Sequence, residues 1–395
     1  MALNNNQINT ILNEVYKEVT GQAVSTPITA KDIVDTGSDA NAVLSSKEQF
    51  TKALINRVAM NMFTDAAYTG NNDEFWVDSS EYGAIVQIIS VQAPEVQESH
   101  AWKDISSGTT TAGQYTLFTP IINAQIYGKS VSWELPIAIT NEQWDTAVTS
   151  ADELAKLVSY VFLAVENAVR VHLENLNMTN RNNFIAEKID YATKNATKTS
   201  HVINLVKKYH DEVDSTITTA DAFLKSADAL RYATKELSLY MDYMKKPTAF
   251  FNTADEVKFV PEDRMVCEIL SDFKKTIDSV ALSTTFNDNY VALPYHRDIP
   301  FWQTPEASAG SQLTFDAVSR ISVKISDSTT IEKSGIVAFI CDKWAIMHTL
   351  IKYRVASTYF DPEAVTQYYY QFNDRYINNL SLNAIVFTLE DVVGA

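Results

Sequence analysis

The chain has 395 residues, of which 46% are apolar and 21% charged, so its composition is that of a globular protein and excludes a disordered one. Its 32 lysines and arginines against 49 aspartates and glutamates give a net charge of −17, which argues against tight binding of nucleic acid to an exposed basic face. Cys267 and Cys341 form no CxxC motif and no disulfide framework, and no signal peptide or transmembrane stretch is predicted, so we expect a reducing cytosol.

Residues 1–75 are predicted to form an arm. Leu3–Val19 and Lys47–Phe63 have helical spacing of apolar residues, and the polar segment Gly21–Asn41 separates them. The long polar break favours an extended arm, and the alternative is an ordinary helical start to a domain.

Two strand-forming runs follow, and a long polar segment separates them. Residues 75–92 and Tyr115–Ile126 are rich in β-branched side chains, whereas Ala93–Gly113 is rich in Ser, Thr, Gly, Glu and Gln. This pattern predicts a long hairpin. A two-stranded hairpin is not stable alone, so it must lie on its own domain or on a neighbouring subunit.

A further strand and a very long helix come next. The strand, residues 129–140, has an apolar side made of Val131, Trp133 and Leu135. Ser150 and Glu153 form a capping box, and Ala151–Met178 then keeps helical spacing without Pro or Gly. Such a helix is roughly 40 Å long, well above the mean of about 11–12 residues for globular helices.

The middle of the chain is predicted to be mainly helical. The candidate helices are His201–Val213 and Thr219–Met244. Residues 247–260 are predicted to form a strand, a turn near Asn252 and a short helix.

The last part of the chain is predicted to be rich in strands. Asp342–Ile351 is the exception, as a short helix or turn, and Asp374–Leu382 separates the last two strands. The predicted strands are Arg320–Ile325, the buried Gly335–Cys341, Tyr368–Phe372 and Asn383–Leu389.

No motif for catalysis or metal binding is found. HExxH, GxSxG, GxxxxGK[ST] and GxGxxG are all absent. His172 is interpreted as an interior or edge histidine, His210 and Asp211 as solvated, and the two cysteines as core residues. We therefore predict no catalytic, cofactor-binding or metal-binding residue and no cofactor.

The order of these elements resembles that of the tailed-bacteriophage major capsid proteins, which have the Hong Kong-97 type fold that encapsulin shells share. The resemblance is carried by TLFTPIINAQIYGKSVSWELPIAIT with TSADELAKLVSYVFLAVENAVRVHLENL, by PTAFFNTADEVKFV, and by GIVAFICDKWAIM with YYYQFNDRYINNLSLNAIVFTL. These segments are similar to the loop-return strand and spine helix, to the axial-domain strand and turn, and to the C-terminal strands of that family.

The resemblance implies an α+β fold in six parts. They are an N-terminal arm (1–75), a peripheral-domain strand (76–92), an extended loop hairpin (93–128), the peripheral domain with the spine helix (129–182), an axial domain (183–334) and peripheral C-terminal strands (335–395).

The resemblance also implies a structural, non-enzymatic protein. It would self-assemble through pentamers and hexamers into an icosahedral or prolate shell around double-stranded DNA, in the virion, after assembly in the bacterial cytoplasm. The expected partners are further copies of the chain, portal and scaffolding proteins, and DNA held by weak, non-specific contact. The alternatives are an encapsulin-like cargo shell, an intracellular α+β enzyme, and a portal or other virion component.

Overall fold

The computed structural model describes most of the second half of the chain and parts of the first half. The described residues are 75, 86–91, 122–128, 130–138, 151–195, 198–281, 296–304, 313–327, 329–360 and 365–392. The chain divides into two compact units. The first comprises Met1–Glu81, Ser130–Asn177 and His348–Tyr376, and the second comprises Tyr82–Lys129, Met178–Met347 and Ile377–Ala395.

The helices and strands follow one another in a mixed order. Up to residue 244 they are β1 (Val86–Val91), β2 (Ile122–Tyr127), β3 (Val131–Ala138), α1 (Ala151–Lys194), β4 (Val202–Asn204), α2 (Leu205–Glu212), α3 (Ala220–Lys225) and α4 (Ala227–Met244). Beyond it they are β5 (Met265–Leu270), α5 (Ser271–Thr276), β6 (Arg297–Ile299), α6 (Phe315–Val318), β7 (Ile321–Ser326), β8 (Thr329–Lys333), β9 (Ile336–Asp342), β10 (Ile346–Phe360), β11 (Val365–Asn378) and β12 (Ala384–Thr388).

Helix α1 has 44 residues and continues well beyond the predicted end at Met178. The segment after Met178 contains asparagines, which have low helix propensity. Tertiary contacts compensate for it: the Asn182 amide donates to the carbonyl of Trp302 at 2.6 Å, and the Arg181 guanidinium contacts the buried Glu268 carboxylate at 3.2 Å. The helix therefore runs on because its polar residues find partners inside the second unit.

A five-stranded sheet forms the core of the second unit, in the order β4-β12-β9-β5-β6. Every residue of β5, β9 and β12 is buried, which confirms the two predicted apolar strands near residues 335–341 and 383–389. Cys267 and Cys341 lie on the neighbouring strands β5 and β9, and both are buried. Their interpretation as core residues is confirmed. The ribbon of β7 and β8 confirms the strand predicted at Arg320–Ile325.

One of the predicted helices is shorter than predicted, and another is divided into two. The helix predicted at His201–Val213 begins only at Leu205, because Val202–Asn204 pairs as strand β4 with β12. The single helix predicted at Thr219–Met244 is two helices, α3 and α4. Ser226 lies between them in an extended conformation, and its side chain accepts a hydrogen bond from the amide of Ala229 as the N-cap of α4.

The turn near Asn252 is confirmed, whereas the short helix predicted after it is wrong. Thr248 and Lys258 form an antiparallel bridge, and the chain between them reverses around Asn252. The Asn252 side chain bonds to the backbone of Glu256 in both directions, at 2.8 Å as donor and 3.1 Å as acceptor. These local bonds replace the helical ones.

The first unit contains a three-stranded sheet in the order β10-β11-β3. The strand predicted at residues 129–140 is confirmed as β3, on which half-buried and exposed positions alternate from Trp133 onward. The helix or turn predicted at Asp342–Ile351 is limited to Lys343–Ala345, and strand β10 starts at Ile346. The break predicted from Asp374 is also wrong there, because β11 continues to Asn378 and pairs with β3 as far as Asp374.

Several predictions lie outside the described residues. They are the arm up to residue 74, the hairpin tip at residues 93–113 and the capping box at residues 150–153. The six predicted parts of the fold stay predictions. In the portion of the chain that the structure describes, no helix has the length and apolar content needed to span a membrane.

Candidate assembly surface

Strands β1 and β2 form an antiparallel ribbon in the second unit, which confirms the pairing predicted for the hairpin. Gln87 lies opposite Ile126, Ile89 opposite Ala124, and Val91 opposite Ile122. Residues that face each other across an antiparallel pair project to the same side, and so do alternate residues along each strand. These six side chains therefore share one side of the ribbon, which we call the outer face.

The outer face is exposed, and five of its six side chains are apolar, the exception being Gln87. Its four β-branched residues have exposed fractions between 59% and 66%: Ile89, Val91, Ile122 and Ile126. Neither strand contains a charged residue. Covering the outer face would therefore remove apolar surface from water without stripping water from any charge on the ribbon.

The opposite side of the ribbon, the inner face, is held by one buried carboxylate. Glu256 is 5% exposed. It accepts hydrogen bonds from the Ser90 hydroxyl at 3.2 Å and from the Asn123 amide, so it holds both strands at once. Its other close partner is the Lys258 ammonium, whose Nζ lies 2.6 Å from Oε2.

The electrostatics of Glu256 favour its ionised form. Burial alone would raise the pKa of this carboxyl, but hydrogen bonds from Lys258, Asn123 and Ser90, together with the positive charge of Lys258, outweigh burial and lower the pKa. Glu256 is therefore a charged acceptor at neutral pH, and hydrogen bonds to a charged acceptor are stronger than those to a neutral one.

The turn that carries Glu256 is itself fixed by buried side-chain contacts. The Asn252 side chain has no exposed surface and also donates to the Asn383 side chain at 3.0 Å. Asp255 adopts a φ of 55° and pairs with Lys198. A non-glycine residue in the left-handed region is uncommon and persists where its surroundings enforce it. We call residues 250–259 the Asn252 turn.

Helix α1 anchors the Asn252 turn through a buried lysine. The Lys188 ammonium has no exposed surface and donates to the carbonyl of Phe251 at 3.0 Å and to that of Leu380 at 3.4 Å. Its Nζ also lies 3.4 Å from Nδ1 of His201. Burial lowers the pKa of Lys188 to about 7, and burial with the charges of Lys188 and Lys198 lowers the pKa of His201 to about 3.

The inner face has a second contact near its other end. The Tyr127 hydroxyl donates to the Gln125 side chain at 2.9 Å, and the Ser381 hydroxyl lies 3.5 Å from the same oxygen. Burial and the nearby Glu187 carboxylate of α1 raise the pKa of Tyr127. The ribbon is thus fixed on one side and open to solvent on the other.

The first unit carries its own exposed apolar stripe, on helix α1. Tyr160 and Val171 are 65% and 58% exposed. At about 100° per residue their positions on the helix differ by only about 20°, so they lie on one side. Leu163, 40% exposed, lies about 60° around the helix from Tyr160.

The two histidines that were interpreted from the sequence are His172 and His210. The ring of His172 lies against Trp133, with the ring centroids 4.3 Å apart. His210 is partly exposed and pairs with the exposed Asp211 at 2.9 Å. Among the described residues, no group of three or more His, Cys, Asp and Glu side chains is placed to hold a metal ion. The prediction of no catalytic, cofactor or metal residue stays a prediction.

A comparison with protein families assigns the chain to one of them. Residues 8–388 match the family described as phi29-like phage major capsid protein. The chain belongs to this family. It is a structural shell protein of a bacteriophage capsid, and neither the cargo-shell nor the enzyme alternative is favoured. The mixed helix and sheet content agrees with the predicted α+β class.

Solved structures show the same fold for this capsid protein at low sequence identity. The capsid structure of Staphylococcus phage Andhra has a TM-score of 0.50 and 10% identity, over 81% of this chain and 84% of that chain. The structure of head fiber and inner core protein gp22 of native bacteriophage P68 has a TM-score of 0.50 and 11% identity, over 81% and 84%. A search of curated proteins finds no match.

The ribbon contacts of this capsid protein were not predicted from its sequence. Glu256 stands 133 residues from Asn123, and no motif marks it. The sequence offered only an indirect signal, namely two strands rich in β-branched residues and without any charged residue.

Proposed function

We propose that the chain builds an icosahedral or prolate shell of Hong Kong-97 type around double-stranded phage DNA. The observation that supports this most is the outer face of the β1–β2 ribbon. Five of its six side chains are apolar, it is free of charge, and it is exposed. The ribbon that carries it is fixed by Glu256. Such a face is suited to lie across a neighbouring copy.

The proposal also includes the division of the fold into an arm, an extended loop, a spine helix, and axial and peripheral domains. The ribbon is taken as the base of an extended loop that spans residues 93–128, and α1 as the spine helix. The arm is residues 1–75, the axial domain residues 183–334, and the peripheral domain residues 76–92, 129–182 and 335–395. The length of α1, 44 residues, supports the role of a spine.

The proposed partners are further copies of the chain, a portal, a scaffolding protein and DNA. Assembly takes place in the host cytoplasm, and the chain acts as a structural component with no catalytic role. The net charge of −17 supports weak, non-specific contact with packaged DNA, because an acidic wall repels phosphate. A strongly basic inner wall in an assembled particle would contradict this part.

The first experiment is negative-stain electron microscopy of the purified chain, expressed with and without its candidate scaffold. We expect closed shells or rings of five and six copies. A chain that stays monomeric in both preparations would overturn the proposal. The second experiment deletes Ser99–Ala112, the predicted loop tip. We expect particles of lower stability to heat, and particles of normal stability would contradict the role of this segment between subunits.

A further inference from the structure

The second unit carries another exposed apolar surface, on the Asn252 turn. Phe250, Val257 and Phe259 are 70%, 55% and 57% exposed. Val257 and Phe259 alternate with Glu256 and Val260, which are buried, so the two project to the same side of an extended segment. We call Val257 and Phe259 the turn patch. Clustered large apolar side chains on a protein surface mark contact sites more often than isolated ones do.

The turn patch is rigidly supported, which distinguishes it from a loosely held loop. Its backbone is fixed by the buried side chains of Asn252 and Lys188, through the bonds to Glu256 and to the carbonyl of Phe251. Asp255 keeps a left-handed φ of 55° in the middle of the turn. Unusual backbone geometry of this kind clusters at functional sites. A surface that is already fixed loses little conformational entropy on binding.

The charges of the turn are neutralised within the turn or beside it. Asp255 pairs with Lys198, and Glu256 pairs with Lys258. The patch is therefore close to neutral in a chain whose net charge is −17. Two copies with this charge repel each other over most of their surfaces, so they approach best where surface is apolar and charge is balanced.

We propose that the turn patch is a contact surface for a second copy of this chain. The inference rests on the proposed shell function and adds the residues of one contact. A closed shell needs heterologous contacts, in which one surface of a copy meets a different surface of the next. The ribbon's outer face and the turn patch are two different exposed surfaces of one unit. The turn patch is apolar, five of the six outer-face side chains are apolar, and neither surface carries a charged side chain. A copy of the chain matches the turn patch in charge and in chemistry.

The test measures burial of the turn patch on assembly. Val257→Cys introduces a thiol that a maleimide labels in the unassembled chain, while the native Cys267 and Cys341 are buried. Particles are assembled from the purified variant, so a second copy is the partner available. Val213→Cys is the matched control, since Val213 has a similar exposure of 60% in the same unit.

The expected result is that assembly slows labelling of Val257→Cys at least ten-fold relative to labelling of Val213→Cys. Equal slowing or no slowing in well-formed particles would overturn the inference and leave the shell function intact. Protection that requires another phage protein in the particle would also overturn it, because the occupant would then be that protein. If the unsubstituted chain forms no particles either with or without its candidate scaffold, the shell function fails, and this inference fails with it.

A second variant checks the energetic role of the patch. The double variant Val257→Ser, Phe259→Ser is expected to lower the yield of closed particles at least ten-fold, while the unassembled chain unfolds at an unchanged temperature. Val213→Ser should assemble as the unsubstituted chain does. Normal assembly of the double variant would contradict the inference.

Discussion

The Lys188 ammonium lies 3.0 Å from the carbonyl oxygen of Phe251 and has no exposed surface. This contact joins helix α1 to the Asn252 turn, which carries Glu256 and through it the β1–β2 ribbon. The second unit thus depends on a buried amine whose charge state changes near neutral pH.

The Lys188 amine is expected to make stability depend on pH. Its pKa is about 7 in the folded chain and 10.5 in its ordinary state, so between these values the unfolded chain binds one more proton. Unfolding free energy should rise with pH in this window, by up to about 1.4 kcal/mol per pH unit from this group, and the contribution should level off below about pH 7. Lys188→Met should remove this slope in urea unfolding measured from pH 7 to 10.

Lys194→Met is the control for the lysine variant, because Lys194 lies on the same helix with a side chain that is 66% exposed. It should keep the slope of the unsubstituted chain. If Lys188→Met also keeps that slope, the lowered pKa of Lys188 is contradicted.

The Glu256 carboxylate is expected to hold the ribbon in place. Glu256→Gln removes the charge and should leave Lys258 without its closest anionic partner, at a cost of about 1–3 kcal/mol. Hydrogen exchange of the β1 and β2 amides should quicken accordingly. Glu262→Gln, whose side chain is 85% exposed, should leave these rates unchanged. Unchanged exchange in both variants would show that Glu256 does not hold the strands.

The same carboxylate also predicts an acid-sensitive ribbon. The pKa of Glu256 is lowered from its ordinary value of 4.5. Its stabilising contribution is therefore complete above about pH 4.5 and is lost as the pH falls through the folded-state pKa. Exchange at the β1 and β2 amides, corrected for the intrinsic effect of pH, should rise on acidification, and Glu256→Gln should lack this rise.

Gly335 is expected to tolerate no side chain. Its φ is 77°, and an added Cβ would lie 2.9 Å from Cγ of Glu390. Gly335→Ala should lower the free energy of unfolding by about 1–3 kcal/mol, as measured in urea. Gly128→Ala is the control, since a Cβ there meets nothing within 4 Å. Equal effects of the two substitutions would contradict the steric argument.

Trp133 is expected to stabilise the first unit through its indole N–H. This group donates to the buried Asp374 carboxylate at 2.6 Å, and the ring stacks on Phe372 at 4.1 Å. Trp133→Phe keeps an aromatic ring but removes the donor, which should cost about 1–3 kcal/mol. Near-ultraviolet circular dichroism during urea unfolding measures this change. Trp344→Phe, which keeps an aromatic face for Arg264 at a half-exposed site, should cost clearly less.

The outer face of the ribbon is expected to tolerate no charge in the assembled particle. Ile126→Asp should leave the unassembled chain folded, because Ile126 is 66% exposed. It should nevertheless lower the yield of particles at least ten-fold, since burying an unpaired carboxylate is costly. Val213→Asp, which places the same charge on a similarly exposed site, should assemble normally. Full assembly of Ile126→Asp would remove the outer face from the contact surfaces.

The residue pattern within a single segment was sufficient to predict several elements of the fold. The β-branched runs of β1 and β2 predicted their pairing, and the apolar runs near β9 and β12 predicted two buried core strands. The polar turn at Asn252 was likewise apparent. In each case the signal lies within one short segment, and side-chain periodicity and turn chemistry act over that distance.

The residue pattern within a segment gave wrong predictions where residues distant in sequence supply the hydrogen-bond or strand partners. Helix α1 continues past Met178 because Trp302 and Glu268 satisfy its asparagine and arginine side chains. Val202–Asn204 is a strand because β12 lies beside it. Residues Ile346–Ile351 belong to strand β10, whose neighbour in its sheet is β11. Tertiary contacts override local propensity at these places.

The sequence by itself determined the acidic charge, the class of mixed helix and sheet, and the order of elements that resembles phage capsid proteins. Tertiary structure alone decided which apolar side chains stay exposed, that Glu256 spans both strands of the ribbon, and that Lys188 loses contact with water. The physical reason is that exposure and burial depend on which distant segments cover a side chain. The periodicity of apolar residues within a segment indicates only which side chains could be buried.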